Sequence, residues 1–245
     1  MAQFATTKAD AVAWLRSLEA QSVDLIITDP PYESLEKHRA VGTTTRLKHS
    51  KASSNDWFSI FPNSRFDELF AELYRVLAKN SHLYLYCDAE TMFVAKPIGE
   101  RHGFKFWKPL VWDKKQIGMG YHYRARCEFI LFFEKGKRRL NDLGVADVLE
   151  APRVRDGYPT EKPVSIMEVL VSQSSAQGEL VVDPFMGSGS TGVAALSLGR
   201  DFSGADVCEE ALEIGVGRFL EVGAMEAKRK PASRRARQGE LHLEA

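Results

Sequence analysis

An α/β fold, a doubly wound and mostly parallel sheet with helices on both faces, is predicted by three observations. Short apolar runs alternate with amphipathic stretches along most of the 245 residues. Two of those runs end in acid-proline turns, "TDPPY" (28–32) and "VDPF" (182–185). The second leads directly into a glycine-rich turn and a helix of small residues, the strand–turn–helix order of a ligand-binding α/β sheet.

The elements follow in order. "ADAVAWLRSLEA" places Val12, Leu15 and Leu18 on one helical face and precedes the strand "VDLIITD". Residues 33–65 lack sustained periodicity and read as a long loop, a feature usually tied to function. "RFDELFAELYRVLAKN" is an amphipathic helix, "HLYLYCD" a strand, and "TMFVAKPIGERHG" a helix interrupted near Pro97. Strands are expected at "FKFWKPLVWDK" and "CEFILFFEKG", then an irregular connector from Gly136 to Tyr158. "PVSIMEVLVSQSS" is a helix, "ELVVDPF" a strand, "STGVAALSLG" a helix, "DFSGADV" a strand and "EEALEIGVGRFLEVGAMEAKR" the closing helix. No repeat or strong linker appears, so residues 1–227 are expected to form one domain and 228–245 a basic, disordered tail.

Composition excludes several classes. With 44% hydrophobic and 27% charged residues the chain is of ordinary globular type. No apolar run approaches the ~20 residues that span a bilayer, and the first residues lack a signal-peptide pattern. A cytoplasmic protein without a membrane partner is expected. Three cysteines without metal-type or paired spacing argue against a zinc or disulfide framework. Net charge is zero, but residues 37–51 hold five Lys/Arg and no acid, 96–139 twelve against four acids, and 228–237 six and no acid. Such local basic surface can hold phosphates.

In "VVDPFMGSGSTGVAA", Gly187 and Gly189 let backbone approach a ligand closely, and Ser190 and Thr191 stand at a helix start with free N–H groups. Asp206, at the end of the next strand, is placed to accept from ribose hydroxyls. Taken literally, Gly187-x-Gly189-x-x-Gly192 also matches the dinucleotide fingerprint, and a glycine turn for packing is the plain alternative. No GK[ST] follows, which removes a P-loop.

The turn Asp29-Pro30-Pro31-Tyr32 suits a nucleobase amine. Its lone pair is delocalised into the ring, so both N–H hydrogens must be held before the nitrogen can attack a methyl donor. Asp29 offers an anionic acceptor, the Pro30 carbonyl a second, Pro31 a fixed backbone angle, and Tyr32 an aromatic face. A carboxylate with a reference pKa of about 3.9 cannot deprotonate a neutral aromatic amine, so Asp29 acts as an orienting acceptor and at most a late proton relay.

Together, "VDLIITDPPY", "ELYRVLAKNSHLYLY", "LVWDK…YRARCEFILFFEKGK", "YPTEKP" and "VVDPFMGSGSTGVAALSLGRDFSGADV" resemble the S-adenosylmethionine-dependent DNA amino-methyltransferases of the β group, in which the catalytic turn precedes the cofactor loop. The resemblance covers about residues 9 to 222. It implies a Rossmann-like class I methyltransferase fold and methylation of the adenine amino group in double-stranded DNA, with the target base flipped. A cytosine amino target or an RNA substrate is the alternative. It implies catalytic roles for Asp29, Pro30, Pro31 and Tyr32. It places S-adenosylmethionine against Asp10, Lys162, Asp183, Phe185, Gly187, Ser188, Gly189, Ser190, Thr191 and Asp206. Tyr158 stands where the family often has histidine, and Asp206 where glutamate is commoner. Carbon-5 methylation is disfavoured, because Cys87, Cys127 and Cys208 follow Tyr86, Arg126 and Val207 rather than proline.

DNA contacts are expected from Lys37, Arg39, Arg46, Lys48 and Lys51 in the DNA-facing loop 33–65, and from Lys114, Lys115, Arg124 and Arg126. Residues 136–157 form a short candidate target-recognition segment. The family also implies a prokaryotic or phage setting, often restriction-modification, and a possible homodimer.

Overall fold

A computed structural model describes residues 2–33, 60–118, 122–155, 157–158 and 160–227. Among the described residues nine strands form one sheet: β1 (Gln3–Lys8), β2 (Val23–Thr28), β3 (Leu77–Cys87), β4 (Lys105–Asp113), β5 (Cys127–Lys135), β6 (Val148–Glu150), β7 (Leu180–Asp183), β8 (Asp201–Asp206) and β9 (Met225–Glu226). Their order is β6-β4-β5-β3-β2-β7-β8-β1-β9. Every pairing is parallel except those of β5, which runs against both β3 and β4.

Six α-helices among the described residues cover the sheet: α1 (Ala11–Arg16), α2 (Phe66–Val76), α3 (Ala89–Arg101), α4 (Val164–Ser174), α5 (Ser190–Ser197) and α6 (Glu209–Glu221). On one face, Val12, Leu15, Phe66, Phe70, Leu73, Ala95 and Ile98 from α1, α2 and α3 pack on Ile26, Leu83 and Leu131. On the other, Ile166, Leu170, Ala194, Leu212 and Phe219 from α4, α5 and α6 cover Leu25, Val181 and Phe202. Central strands buried on both sides account for the unbroken apolar runs in the sequence.

Several elements depart from the sequence expectation. β1, β6 and β9 arise from segments with little apolar periodicity. β1 is held by neighbours on both sides, β8 and β9, and β6 lies inside the connector 136–158 as an edge strand on β4. The helix expected over 65–80 ends at Val76, and β3 begins at the next residue. Lys135 makes this junction possible, donating from Nζ to the carbonyls of Tyr74 (2.5 Å) and Leu77 (2.6 Å) at the helix end. α3 is not interrupted at Pro97. Its face carrying Ala95, Ile98 and Gly99 sits so close to the sheet that a β-carbon on Gly99 would lie 2.9 Å from both Phe70 and Phe133, and this packing outweighs the one lost hydrogen bond.

β2 and β7 are neighbours, in register at Leu25↔Val181 and Ile26↔Val182. From β2 the chain proceeds to β3 on one side, and from β7 to β8 on the other. The boundary between them is a topological switch point, where a crevice opens at the carboxyl edge of the sheet. Both acid-proline turns leave the sheet there.

Candidate active site

The two turns line one cavity of about 300 Å³, with Asp29–Tyr32 on one wall and Asp183–Ser188, Ser190 and Thr191 on the other. Asp10, Asp206 and Lys162 also line it. The structure therefore brings together loops some 150 residues apart in sequence.

In the acidic corner, the Tyr32 hydroxyl donates to Asp29 Oδ1, and the Lys162 ammonium donates to Asp29 Oδ2. Tyr32 is buried; that burial, with Asp29 beside it, pushes its phenol well above the ordinary value. The turn is pinned from outside by Phe61, whose N–H donates to the Pro31 carbonyl at 2.9 Å. Lys162 lies 3.6 Å from Glu128 Oε2 as well. Burial works against its charge, but Asp29 and Glu128 more than offset that and hold the ammonium above its usual range. Burial likewise pushes Glu128 up, while Lys162 and Lys114 outweigh it and leave the carboxyl below its ordinary value.

The glycine corner is built from backbone. Gly187 (φ 48) and Gly189 (φ 80) take left-handed conformations. At Gly189 a β-carbon would lie 2.6 Å from the Phe219 ring, so the turn is closed to larger residues by packing as well as by torsion. Gly187 N donates to Asp206 Oδ2 (2.8 Å) and Cys208 N to Asp206 Oδ1 (2.9 Å). Burial raises the Asp206 carboxyl, and those two amides partly counter it. Asp183 accepts from Phe185 N (3.0 Å) and Thr191 Oγ1 (2.9 Å), yet burial pushes its carboxyl up to about 7. Ser188 accepts from Arg218, through its carbonyl at 2.8 Å and its hydroxyl at 3.2 Å. Tyr158 lines the cavity with its hydroxyl 3.9 Å from Cys208 Sγ.

Asp10 caps α1, accepting from Val12 N and Ala13 N at 3.1 Å each, and is gripped by Arg65 at 2.8 and 3.0 Å. Arg65 holds its carboxyl below the usual range. Phe61 carries the Arg65 guanidinium over its ring at 4.9 Å and meets Phe185 edge-on at 5.1 Å.

Of the expected DNA contacts, Lys37, Arg39, Arg46, Lys48 and Lys51 lie outside the described residues, as does the tail 228–245. Lys114 turns inward, 3.3 Å from Glu128. Lys115 pairs with Glu150 at 2.5 Å and Arg126 forks onto Asp113 at 2.7 Å, while Arg124 is exposed. Sequence reasoning missed Glu128, Arg65, Arg218 and Glu161, the last of which lines the cavity and pairs with Arg218 at 3.0 Å. Glu128 did leave a signal, a carboxylate inside the apolar run "CEFILFF". Arg65 and Arg218 left none.

An acidic turn facing a glycine-rich strand–helix turn, across the switch point of a doubly wound sheet, defines a class I methyltransferase. A family model described as DNA methylase matches residues 23–155 and 145–216, and the chain belongs to this N6/N4 family. The DNA adenine methyltransferase YhdJ of Escherichia coli K12 is 28% identical over 250 residues, covering 86% of this chain and 80% of the relative. The type II methyltransferase M.HpaI of Haemophilus parainfluenzae is 27% identical over 238 residues, covering 86% and 72%. Among solved structures, the M1.HpyAVI–SAM complex superposes with a TM-score of 0.65 at 23% identity, over 88% of this chain and 100% of that one. The PvuII DNA methyltransferase, cytosine-N4-specific, gives 0.68 at 14% identity, over 91% of each. At these identities the two structures share the fold.

Proposed function

We propose that this chain transfers a methyl group from S-adenosylmethionine to the exocyclic amine of adenine in double-stranded DNA, with the target base rotated out of the stack into the pocket at Asp29–Tyr32. The observation that carries the reading is the meeting of the two motif turns on one cavity. The family supports DNA as substrate, and the likeness to YhdJ, a DNA adenine methyltransferase, supports adenine over cytosine.

The residues present fit the cofactor. Ser190 Oγ is buried against the cavity with no hydrogen-bond partner among the described residues, an orphan a bound ligand would satisfy. Gly187, where a β-carbon would meet only Tyr158 at 3.9 Å, leaves room for close backbone approach, whereas Gly189 faces Phe219 and shapes the turn from behind; the lone pairs left on Asp10 and Asp206 suit donors of an adenosyl group. Phe185, Ser188 and Thr191 complete that wall, with Asp183 behind it. When bound, S-adenosylmethionine supplies an electrophilic methyl group on a sulfonium. Asp29 and the Pro30 carbonyl hold the two amine hydrogens, so the nitrogen pyramidalises and presents its lone pair. Pro31 fixes the turn, and Tyr32 offers its ring to the base while its hydroxyl keeps Asp29 oriented. Once methylated, the cationic nitrogen sheds a proton, and Asp29 is the nearest carboxylate to receive it.

Rotating the base out costs a few kcal/mol. Arg124, Lys115 and Arg126 at the carboxyl edge, with the basic stretch 37–51, are assigned to the phosphates. Residues 136–157 offer a short reading segment, so the recognised site is small. The setting is a bacterial or phage cytoplasm, with or without a restriction partner. Nucleoside mass spectrometry of treated plasmid DNA, followed by base-resolution mapping, tests all of this. N6-methyladenine at a short consensus is expected. N4-methylcytosine, label appearing only in RNA, or a long strict consensus would each refute its part of the reading.

A further inference from the structure

The acidic corner holds more charge than the reaction requires. Asp29, Lys162 and Glu128 meet on three different elements. Asp29 directly follows β2, and Lys162 follows a tight turn in which Thr160 takes φ 61. Glu128 stands at the start of β5, which reaches this edge only because β5 runs against its neighbours. The Lys162 side chain is 10% exposed and touches both carboxylates, with direct contact to Asp29 and 3.6 Å to Glu128 Oε2. The other oxygen of each acid is already engaged, Asp29 Oδ1 by Tyr32 and Glu128 Oε1 by Lys114 at 3.3 Å.

A largely buried carboxylate needs a counter-ion while no base is present, and a buried ammonium cannot be left without an anion. A neutral amine competes poorly with an ammonium for the same carboxylate. The ammonium can yield only when a second carboxylate lies within reach of a small side-chain rotation. We propose that Lys162 is a positioning residue shared between two acids: it holds Asp29 in the base-free site, and Glu128 draws it away as the amine enters. Lysine suits this exchange because its ammonium is a point charge with rotatable donors on a flexible stem, whereas an arginine fork would clamp Asp29. The inference rests on the amino-methyltransferase reading; it adds Glu128 to that site and gives Lys162 a role toward Asp29 rather than toward the cofactor.

The test is a double-mutant cycle on the full chain, with unmethylated plasmid DNA and labelled S-adenosylmethionine, reading kcat, KM for DNA and cofactor Kd. Glu128→Gln leaves Lys162 nowhere to go, so kcat falls about tenfold, the scale of one charge-assisted hydrogen bond, while cofactor Kd stays within about twofold. Adding Lys162→Met removes the competitor and recovers about threefold or more of that loss, an opposite-sign coupling that a merely structural role does not produce. A Glu128→Gln protein with wild-type kcat, or a double variant no faster than Glu128→Gln alone, overturns the inference. If Glu128→Gln does not fold, Lys162→Arg serves: about fivefold lower kcat with KM for DNA within about twofold is expected, and wild-type turnover overturns the proposal. Wild-type protein that leaves DNA unmodified is a different result, and removes the function itself.

Discussion

The two corners of the cleft are built from different materials. The Asp29 corner is assembled from side-chain charges, Asp29, Lys162, Glu128 and Lys114, around a proline-stiffened turn. The Gly187–Gly189 corner is assembled from backbone, with left-handed torsions closed over by Phe219 and tied by amides to Asp206. Charges can be altered without moving the chain, whereas the glycines cannot be altered without moving it. Chemistry and binding should therefore separate cleanly by mutation.

The sharpest separation is Asp29→Ala. It should lower kcat by on the order of 10²–10³-fold, as for loss of an organising group at a reacting centre, while calorimetry finds cofactor affinity unchanged. Surviving turnover would remove Asp29 from catalysis. The converse is Gly189→Ala, whose new β-carbon meets Phe219 at 2.6 Å in a backbone already at φ 80. A loss of about 2–3 kcal/mol in stability and a weaker cofactor Kd are expected from thermal unfolding and titration. An unchanged melting temperature would mean that the loop is looser than its packing implies.

Asp183 lies between the corners and gives a pH signature. Its folded pKa, near 7, exceeds the unfolded value of about 3.9, so the folded state binds the extra proton. Its stabilising effect is present at acid pH and is lost as pH rises through about 7. Asp183→Asn should abolish that loss, making the variant relatively more stable at pH 8 than at pH 4 by about 4 kcal/mol. The difference between the two denaturation curves is the quantity to follow. Buried His82, lowered to about 4, tilts both curves the other way, destabilising as pH falls below about 6.5. The smallest effect is Tyr32→Phe, which keeps the ring and removes the hydroxyl on Asp29. About fivefold slower turnover at unchanged cofactor affinity is expected, and a rate equal to wild type would leave orientation of Asp29 to Lys162 alone.

The motif turns were legible because their chemistry is local. A strand that stops at Asp-Pro-Pro-Tyr, or at Asp-Pro-Phe before Gly-Ser-Gly, states its geometry within a few residues. The weakly patterned strands were not legible. β1, β6 and β9 owe their form to neighbours distant in sequence, and Pro97 sits within a helix because packing at Gly99 overrides local propensity. Among the expected cofactor residues, Lys162 was found by motif, but its contact with Asp29 was invisible in one dimension.

By itself the sequence determined the class of sheet, the two turns that line the cleft and the residue types within them, because these depend on backbone torsion and side-chain chemistry over short spans. Only the tertiary structure decided which charges share the pocket. Glu128 belongs to the site because β5 runs backwards, and Arg65 because the segment that leads into α2 brings its guanidinium onto Asp10. Strand direction and such long-range contacts are set by the packing of the whole sheet, so no short stretch of residues encodes them.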